Sequence, residues 1–364
     1  MDPNWSKINI MLIDIDQIRT TVLRNCDISD ASHAGIYSIC TLALRLRDLL
    51  KWERGLAPWE EEDPKETLDW IGNKEEVWAG VTETEFLPLP INGHSFDAFD
   101  TEAINRVLCP RQLFYGAGYT HGLKPTFFLA HCEKTEEKHG VPVYWLGREM
   151  ARDLLTVPAL TQDNTVLIRK QCARMFFWDQ IAYIDKSGRP ALELALNSLG
   201  IPDTRPASVR AGFDIAFGCQ VNGYIHHELG EILDNTFDRN VWQEIISVFP
   251  HTPVEFIVRI VKDILADTHP HGTLPWIVQK RDFAGLCFYM AFRGSLTKKL
   301  FPDFETRFRT FAESENWDDM ALSVEDLRRT AVSHADIITE RFRAGKKKND
   351  LPGVQDAIEK QFLS

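Results

Sequence analysis

The chain has 364 residues and carries 41 Lys and Arg against 53 Asp and Glu, a formal net charge of −12. Hydrophobic residues make up 44% and charged residues 26%, the balance of a folded globular chain, which excludes disorder over most of its length. The acidic excess argues against a general nucleic-acid binder, whose phosphate contacts need a surplus of Lys and Arg on one face.

The start, Met1-Asp2-Pro3-Asn4-Trp5, shows no basic stretch followed by an apolar one, so no signal peptide is expected. No apolar run nears the ~18–20 residues of a membrane span, so no membrane partner is expected. The seven cysteines are scattered and never form Cys-x-x-Cys, which fits neither a disulfide framework nor a zinc ribbon. A reducing cytoplasm is the expected compartment.

Residues Asp30 to Gly55 read as a helix capped by Ser32, with Ile36, Ile39, Cys40, Ala43, Leu46 and Leu50 on one face and Gly55 as its stop. Lys65 to Trp78 reads as a second helix, carrying Leu68, Ile71 and Val77. Gly80 to Asp100, broken by Pro88, Pro90 and Gly93, reads as a long surface connection, and Thr101 to Leu108 as a short helix ending before Pro110.

Tyr115 to Gly122 reads as a glycine-rich loop, since its Gly-x-Gly does not open a helix as a dinucleotide fingerprint must. The β-rich runs Phe127–Cys132 and Val141–Leu146 flank a charged turn with Gly140 and predict a hairpin, and Thr165–Arg169 predicts another strand. Between Ser187 and Ser208, Gly188, Pro190, Gly200, Pro202 and Pro206 suggest a soft boundary around a short helical pattern. Beyond it, Val209–Asp234, Arg239–Phe249, Pro253–Asp267, Arg281–Phe292, Phe304–Glu313 and Val324–Arg343 all have helical periodicity. Gly345 to Asn349 reads as a polar break.

The expected fold is therefore α+β and predominantly helical, an N-terminal part with a small antiparallel sheet followed by a C-terminal helical bundle. The expected domains are 1–187 and 188–345, with 346–364 as a polar tail.

Chemistry concentrates in the C-terminal part. In Tyr224-Ile225-His226-His227-Glu228-Leu229-Gly230-Glu231, His227 and Glu231 are four residues apart and share one helix face, within reach of one ion. Glu228 follows His227 as a general base follows the first ligand of a zincin helix. Glu231 stands where that motif has its second His, which argues against peptidase chemistry.

Asp263 and Asp267 repeat the four-residue spacing in the next acidic helix. Together the two helices could supply a His and carboxylate set suited to a divalent metal, Zn, Fe or Mn. His269 and His271 follow closely, and five of the eleven histidines (His226, His227, His251, His269, His271) fall between 226 and 271. The blander alternative is a solvated pair of helices whose acids pair with Arg259 and Lys262, because Ile225, Leu229, Ile232 and Leu233 define an apolar arc that excludes His227 and Glu231. Near the N-terminus, His33 sits at a polar helix mouth where it could serve proton transfer.

In Asp30-Ala31-Ser32-His33-Ala34-Gly35, Lys51-Trp52-Glu53-Arg54-Gly55, Phe127-Phe128-Leu129, Gly147-Arg148-Glu149, His227-Glu228-Leu229-Gly230-Glu231 and Lys262-Asp263-Ile264-Leu265-Ala266-Asp267, the chain resembles an uncharacterised bacterial protein family, over most of its length. The resemblance implies no established activity.

The residues themselves lead to a metal-dependent enzyme of hydrolase type. His227, Glu231, Asp263 and Asp267 are the expected ligands, Glu228 or His33 the proton-transfer group, and a small-molecule or peptide-like compound the substrate. The alternatives are a non-haem iron or di-iron oxidase and a non-catalytic interaction or scaffold protein.

Overall fold

The computed structural model describes residues 13–120 and 123–363. The N-terminal Met1–Trp5 and the His121-Gly122 end of the expected loop lie outside them. The described residues fall into two compact units, one drawn from 1–135, 144–156 and 169–171 and the other from 136–143, 157–168 and 172–364.

In the first unit, α1 (Ile15–His33) starts at Asp14, whose carboxylate accepts the Gln17 amide, and buries Ile18, Val22 and Cys26 along one stripe. The expected Asp30–Gly55 helix is in fact two helices. α1 runs through Ser32, a 3-10 turn follows at Ala34–Ile36, and α2 (Ile39–Arg54) begins at Ser38, whose hydroxyl accepts the Thr41 amide. The cause is tertiary. Asp30 is buried, accepts the Leu154 amide at 3.0 Å and pairs with Lys124 at 2.9 Å, which fixes it inside a helix rather than ahead of one. Ile39, expected on a buried face, is 88% exposed beside the break. Gly55 ends α2 as expected, in the left-handed region at φ +67°.

α3 (Pro64–Ala79) matches the expected second helix, with Asp63 as its cap and Pro64 in its first turn. The Gly80–Asp100 segment holds more than a surface connection. It contains a hairpin of β1 (Leu89–Ile91) and β2 (His94–Phe96), with Leu89 opposite Phe96. The turn is Asn92-Gly93, both with positive φ, the pair that two-residue hairpin loops favour. Leu89 and Ile91 join Ile18, Val22 and Tyr115 in one core. α4 (Thr101–Leu108) forms as expected.

Tyr115–Tyr119 is strand rather than loop. β3 (Leu113–Tyr119) runs antiparallel to β4 (Pro125–Lys138), from Leu113 opposite His131 to Tyr119 opposite Pro125. β4 and β5 (Val141–Arg152) form the expected hairpin, and β3, β4 and β5 are adjacent in that order in a five-stranded sheet. In the second unit β6 (Ala159–Gln162) pairs antiparallel with β7 (Thr165–Arg169), the other expected strand, whose last residue belongs to the first unit.

The rest of the second unit is helical. It comprises α5 (Lys170–Ala182) from residue 172 onward, α6 (Arg189–Ser198), α7 (Pro206–Leu233), α8 (Arg239–Val248) and α9 (Pro253–Asp267). Then follow α10 (Thr273–Lys280), α11 (Phe283–Ala291), α12 (Ser295–Leu300), α13 (Pro302–Ser314), α14 (Trp317–Lys348) and α15 (Leu351–Leu363). α9 packs against both α7 and α14, and α11 against α6.

Gly345 to Lys348 is not a break but the last turn of α14, where three lysines complement the negative end of the helix dipole. The chain beyond it is helical, because Val354, Ile358 and Phe362 recur every four residues and are buried. No described helix is long and apolar enough to cross a membrane.

Candidate metal centre

α7 and α9 meet at backbone contact. A Cβ built on Gly230 would stand 2.0 Å from the carbonyl oxygen of Ala266, so only glycine admits this approach. The apolar residues Ile225 and Leu229 of α7 and Val261 and Ile264 of α9 are buried, which holds the pair together. The close crossing sets the polar residues beside Gly230 against those beside Ala266.

His227 lies at the centre of the resulting cluster. Its Nδ1 is 2.8 Å from Asp267 Oδ1 and its Nε2 is 3.5 Å from Glu231 Oε1. An ionised carboxylate only accepts, so Nδ1 carries a proton and donates to Asp267. The second Asp267 oxygen accepts the Tyr289 hydroxyl at 3.0 Å. A ring nitrogen of His227, a carboxylate oxygen of Glu231 and one of Asp263 form a set of donor atoms that all lie within 4.8 Å of one another. Lys262 completes the group: its ammonium bonds Glu231 and stands 3.5 Å from Asp263 and 5.3 Å from the Trp242 ring centroid.

The electrostatics follow from burial and these neighbours. Burial disfavours charge on His227, but the Asp267 carboxylate outweighs it and raises the imidazole well above its ordinary value. Burial likewise opposes ionisation of Glu231, yet the Lys262 ammonium and His227 hold it well below the usual carboxylate range. At Glu228, one residue from His227, the His227 and Lys262 charges favour ionisation but are outweighed. Burial, reinforced by the Glu231 charge, pushes it up to about 8. A cavity of about 140 Å³ borders the cluster on the Asp267 side, where His227, Asp267 and Tyr289 form part of its wall.

Of the residues singled out in the sequence, His227, Glu231 and Asp263 come together as one donor set. Asp267 sits at the other edge of the imidazole, where it orients the ring. Glu228 is buried beside them. His33 belongs to the first unit, at the end of α1, where its Nδ1 pairs with the Ser29 carbonyl at 3.0 Å. His226 stacks on Trp276 and its Nδ1 is 2.9 Å from the His271 carbonyl; burial lowers it to about 4. His271 stacks on His139, and neither it nor His269 belongs to the donor set. Of the two cations weighed as partners, Lys262 joins the cluster while Arg259 pairs with Glu255 at 2.9 Å.

Two contributors escape sequence reading. Tyr289 comes from α11 and carries no spacing that links it to the acidic helices. Gly230 had a signal, a glycine in mid-helix inside the His-Glu-Leu-Gly-Glu element, which costs stability unless a neighbour's backbone needs the space.

Two family models match the chain, described as a family of unknown function (DUF6866), its N-terminal domain over residues 17–169 and its C-terminal domain over residues 174–361. No curated protein and no solved structure matches the chain.

Proposed function

The chain belongs to this family of unknown function, and we propose that its second unit is a metal-dependent enzyme of hydrolytic type, with the α7/α9 cluster as its metal centre. The observation that carries this reading is the donor set of His227, Glu231 and Asp263, held within 4.8 Å. Asp267 adds to it: a carboxylate on Nδ1 keeps the proton there, so that Nε2 becomes a ligand when a metal displaces its proton, the outer partner that metal-binding histidines commonly have.

One imidazole nitrogen and two carboxylates suit Zn, Mn or Fe(II) and leave positions for water and substrate. A metal held there would acidify its bound water and supply a nucleophile, with Glu228 as the proton-transfer group. The free cysteines suit a cytoplasmic setting.

A second reading has its own observation. Lys262 already places a positive charge against Glu231 and near Asp263, so the two helices would form an ion-paired scaffold without catalysis.

Metal analysis and calorimetry on protein purified without a nickel column decide between them. The metal reading expects one equivalent of Zn or Mn in wild type, with affinity falling at least about 10-fold in Glu231→Gln and Asp263→Asn, and about 10–100-fold in Asp267→Asn. Absence of uptake by wild type overturns it and leaves the scaffold. Oxygen consumption by the Fe(II)-loaded protein would replace hydrolysis with oxidase chemistry.

A further inference from the structure

The cavity bordering the cluster has a chemistry of its own. Three aromatic residues from three helices wall it: Tyr224 of α7, Trp276 of α10 and Tyr289 of α11. The polar ends of the wall are largely engaged by the protein. The Tyr289 hydroxyl donates to Asp267, that of Tyr224 to Gln180 at 3.3 Å and that of Thr273 to the Gly223 carbonyl at 3.2 Å.

The charges at its edge are mostly negative. Asp267 is in the wall, and Asp282 lies just behind it, accepting the Cys219 thiol at 3.4 Å and the Gly285 amide at 2.8 Å. The positive group there is His227, already paired with Asp267, and among the described residues no Lys or Arg lines the cavity. Trp276 has one ring face covered by His226, and the aromatic rings beside carboxylates suit an organic cation, whose charge a ring quadrupole stabilises and whose methyl groups replace water at an apolar wall.

We propose that this cavity binds a small methylated ammonium group. It is a site for an organic cation, distinct in chemistry from the metal donors beyond His227, and it does not require a metal to be bound.

The test is calorimetry on the full chain in EDTA, at constant ionic strength, comparing choline with 3,3-dimethyl-1-butanol, its uncharged isostere. Choline is expected to bind about 10-fold tighter than the alcohol, the size of a desolvated cation–π contribution, and Trp276→Leu to remove most of that preference. Gly223→Ala keeps the test decisive should Trp276→Leu fail to fold. Its added methyl would lie at ordinary contact distance, 3.8 Å, from Thr273 Cγ2 in the same wall, so it narrows the cavity without a clash. It is expected to weaken choline several-fold.

Equal affinity for choline and the alcohol would overturn the proposal, as would no binding of either or choline binding indifferent to Gly223→Ala. EDTA keeps this outcome separate from the metal reading, which stands or falls on metal uptake by wild type and its weakening in Glu231→Gln and Asp263→Asn.

Discussion

Both units gather carboxylates around a lysine, and they do so under opposite conditions. In the first unit the Lys124 ammonium lies 2.9 Å from Asp30 and 2.9 Å from Asp153, and all three side chains are essentially sealed from solvent. A second sealed group stands in the same unit, with Arg169 2.6 Å from Glu149, Arg152 3.8 Å from it and the Arg169 guanidinium over the Phe128 ring at 4.4 Å. In the second unit Lys262 and Glu231 are about a fifth exposed, Asp263 is 44% exposed, and a cavity opens beside His227.

Sealed ions have no route for a ligand, and their attraction works against a large desolvation cost, so they hold one arrangement of the chain and do little else. Half-open ions keep part of their solvation and can exchange partners. The difference assigns structure to the first cluster and chemistry to the second.

The largest expected effect tests the sealed cluster. Lys124→Met leaves Asp30 and Asp153 buried without their cation and should cost about 3–5 kcal/mol in urea unfolding of the full chain. A loss below about 1 kcal/mol would break the comparison, since it would mean the first cluster is as dispensable as a surface pair.

A smaller effect sharpens it through pH. Two carboxylates around one ammonium leave an excess negative charge in a sealed site. Burial pushes Asp30 up to about 7, while at Asp153 the Lys124 charge overcomes burial and keeps the carboxyl below its ordinary value. Asp30 therefore holds its proton in the folded chain to a higher pH than in the unfolded chain. Its contribution to stability falls as pH rises from about 4 through about 7.

Asp30→Asn mimics the protonated form and can still accept the Leu154 amide. Measured by urea unfolding across that window, its stability relative to wild type should climb with pH. A difference that stays constant, or climbs as pH falls, would count against the sealed, over-charged site.

How much of this the sequence discloses depends on where the controlling contact lies. Local chemistry was legible: Gly55 as a stop, the turn of the β4/β5 hairpin and the helical period of α7 and α9 all act within a few residues. Asn92-Gly93 was equally local, but Pro88 and Pro90 nearby suggested a connection instead. The break between α1 and α2 could not be read locally, because Asp30 is fixed by Leu154, 124 positions along the chain, and by Lys124.

At the candidate site, the four-residue spacing put His227 and Glu231 on one face of α7, and the structure brings Asp263 of α9 to them. Asp267 is the better buried of the two aspartates. Which edge of the imidazole each acid meets is decided by the α7/α9 crossing at Gly230, and a helix-by-helix reading contains no angle or distance between helices.

The smallest expected effect bears on the half-open cluster and completes the contrast. Lys262→Met removes the ammonium from Glu231, but Glu231 keeps His227 Nε2 at 3.5 Å and access to water, and a methionine can retain the contact with the Trp242 ring. The expected cost is about 1 kcal/mol or less, several-fold below that of Lys124→Met, by the same urea measurement. The substitution also clears the ammonium that competes with a metal for Glu231 and Asp263. Zn affinity measured by calorimetry should therefore rise about 10-fold, as Coulomb repulsion at this distance would allow. An ion-paired scaffold makes the reverse forecast, a stability loss comparable to that of Lys124→Met with no metal uptake. That result would show that the Lys262 cluster, despite its exposure, serves the fold in the same way as the sealed one.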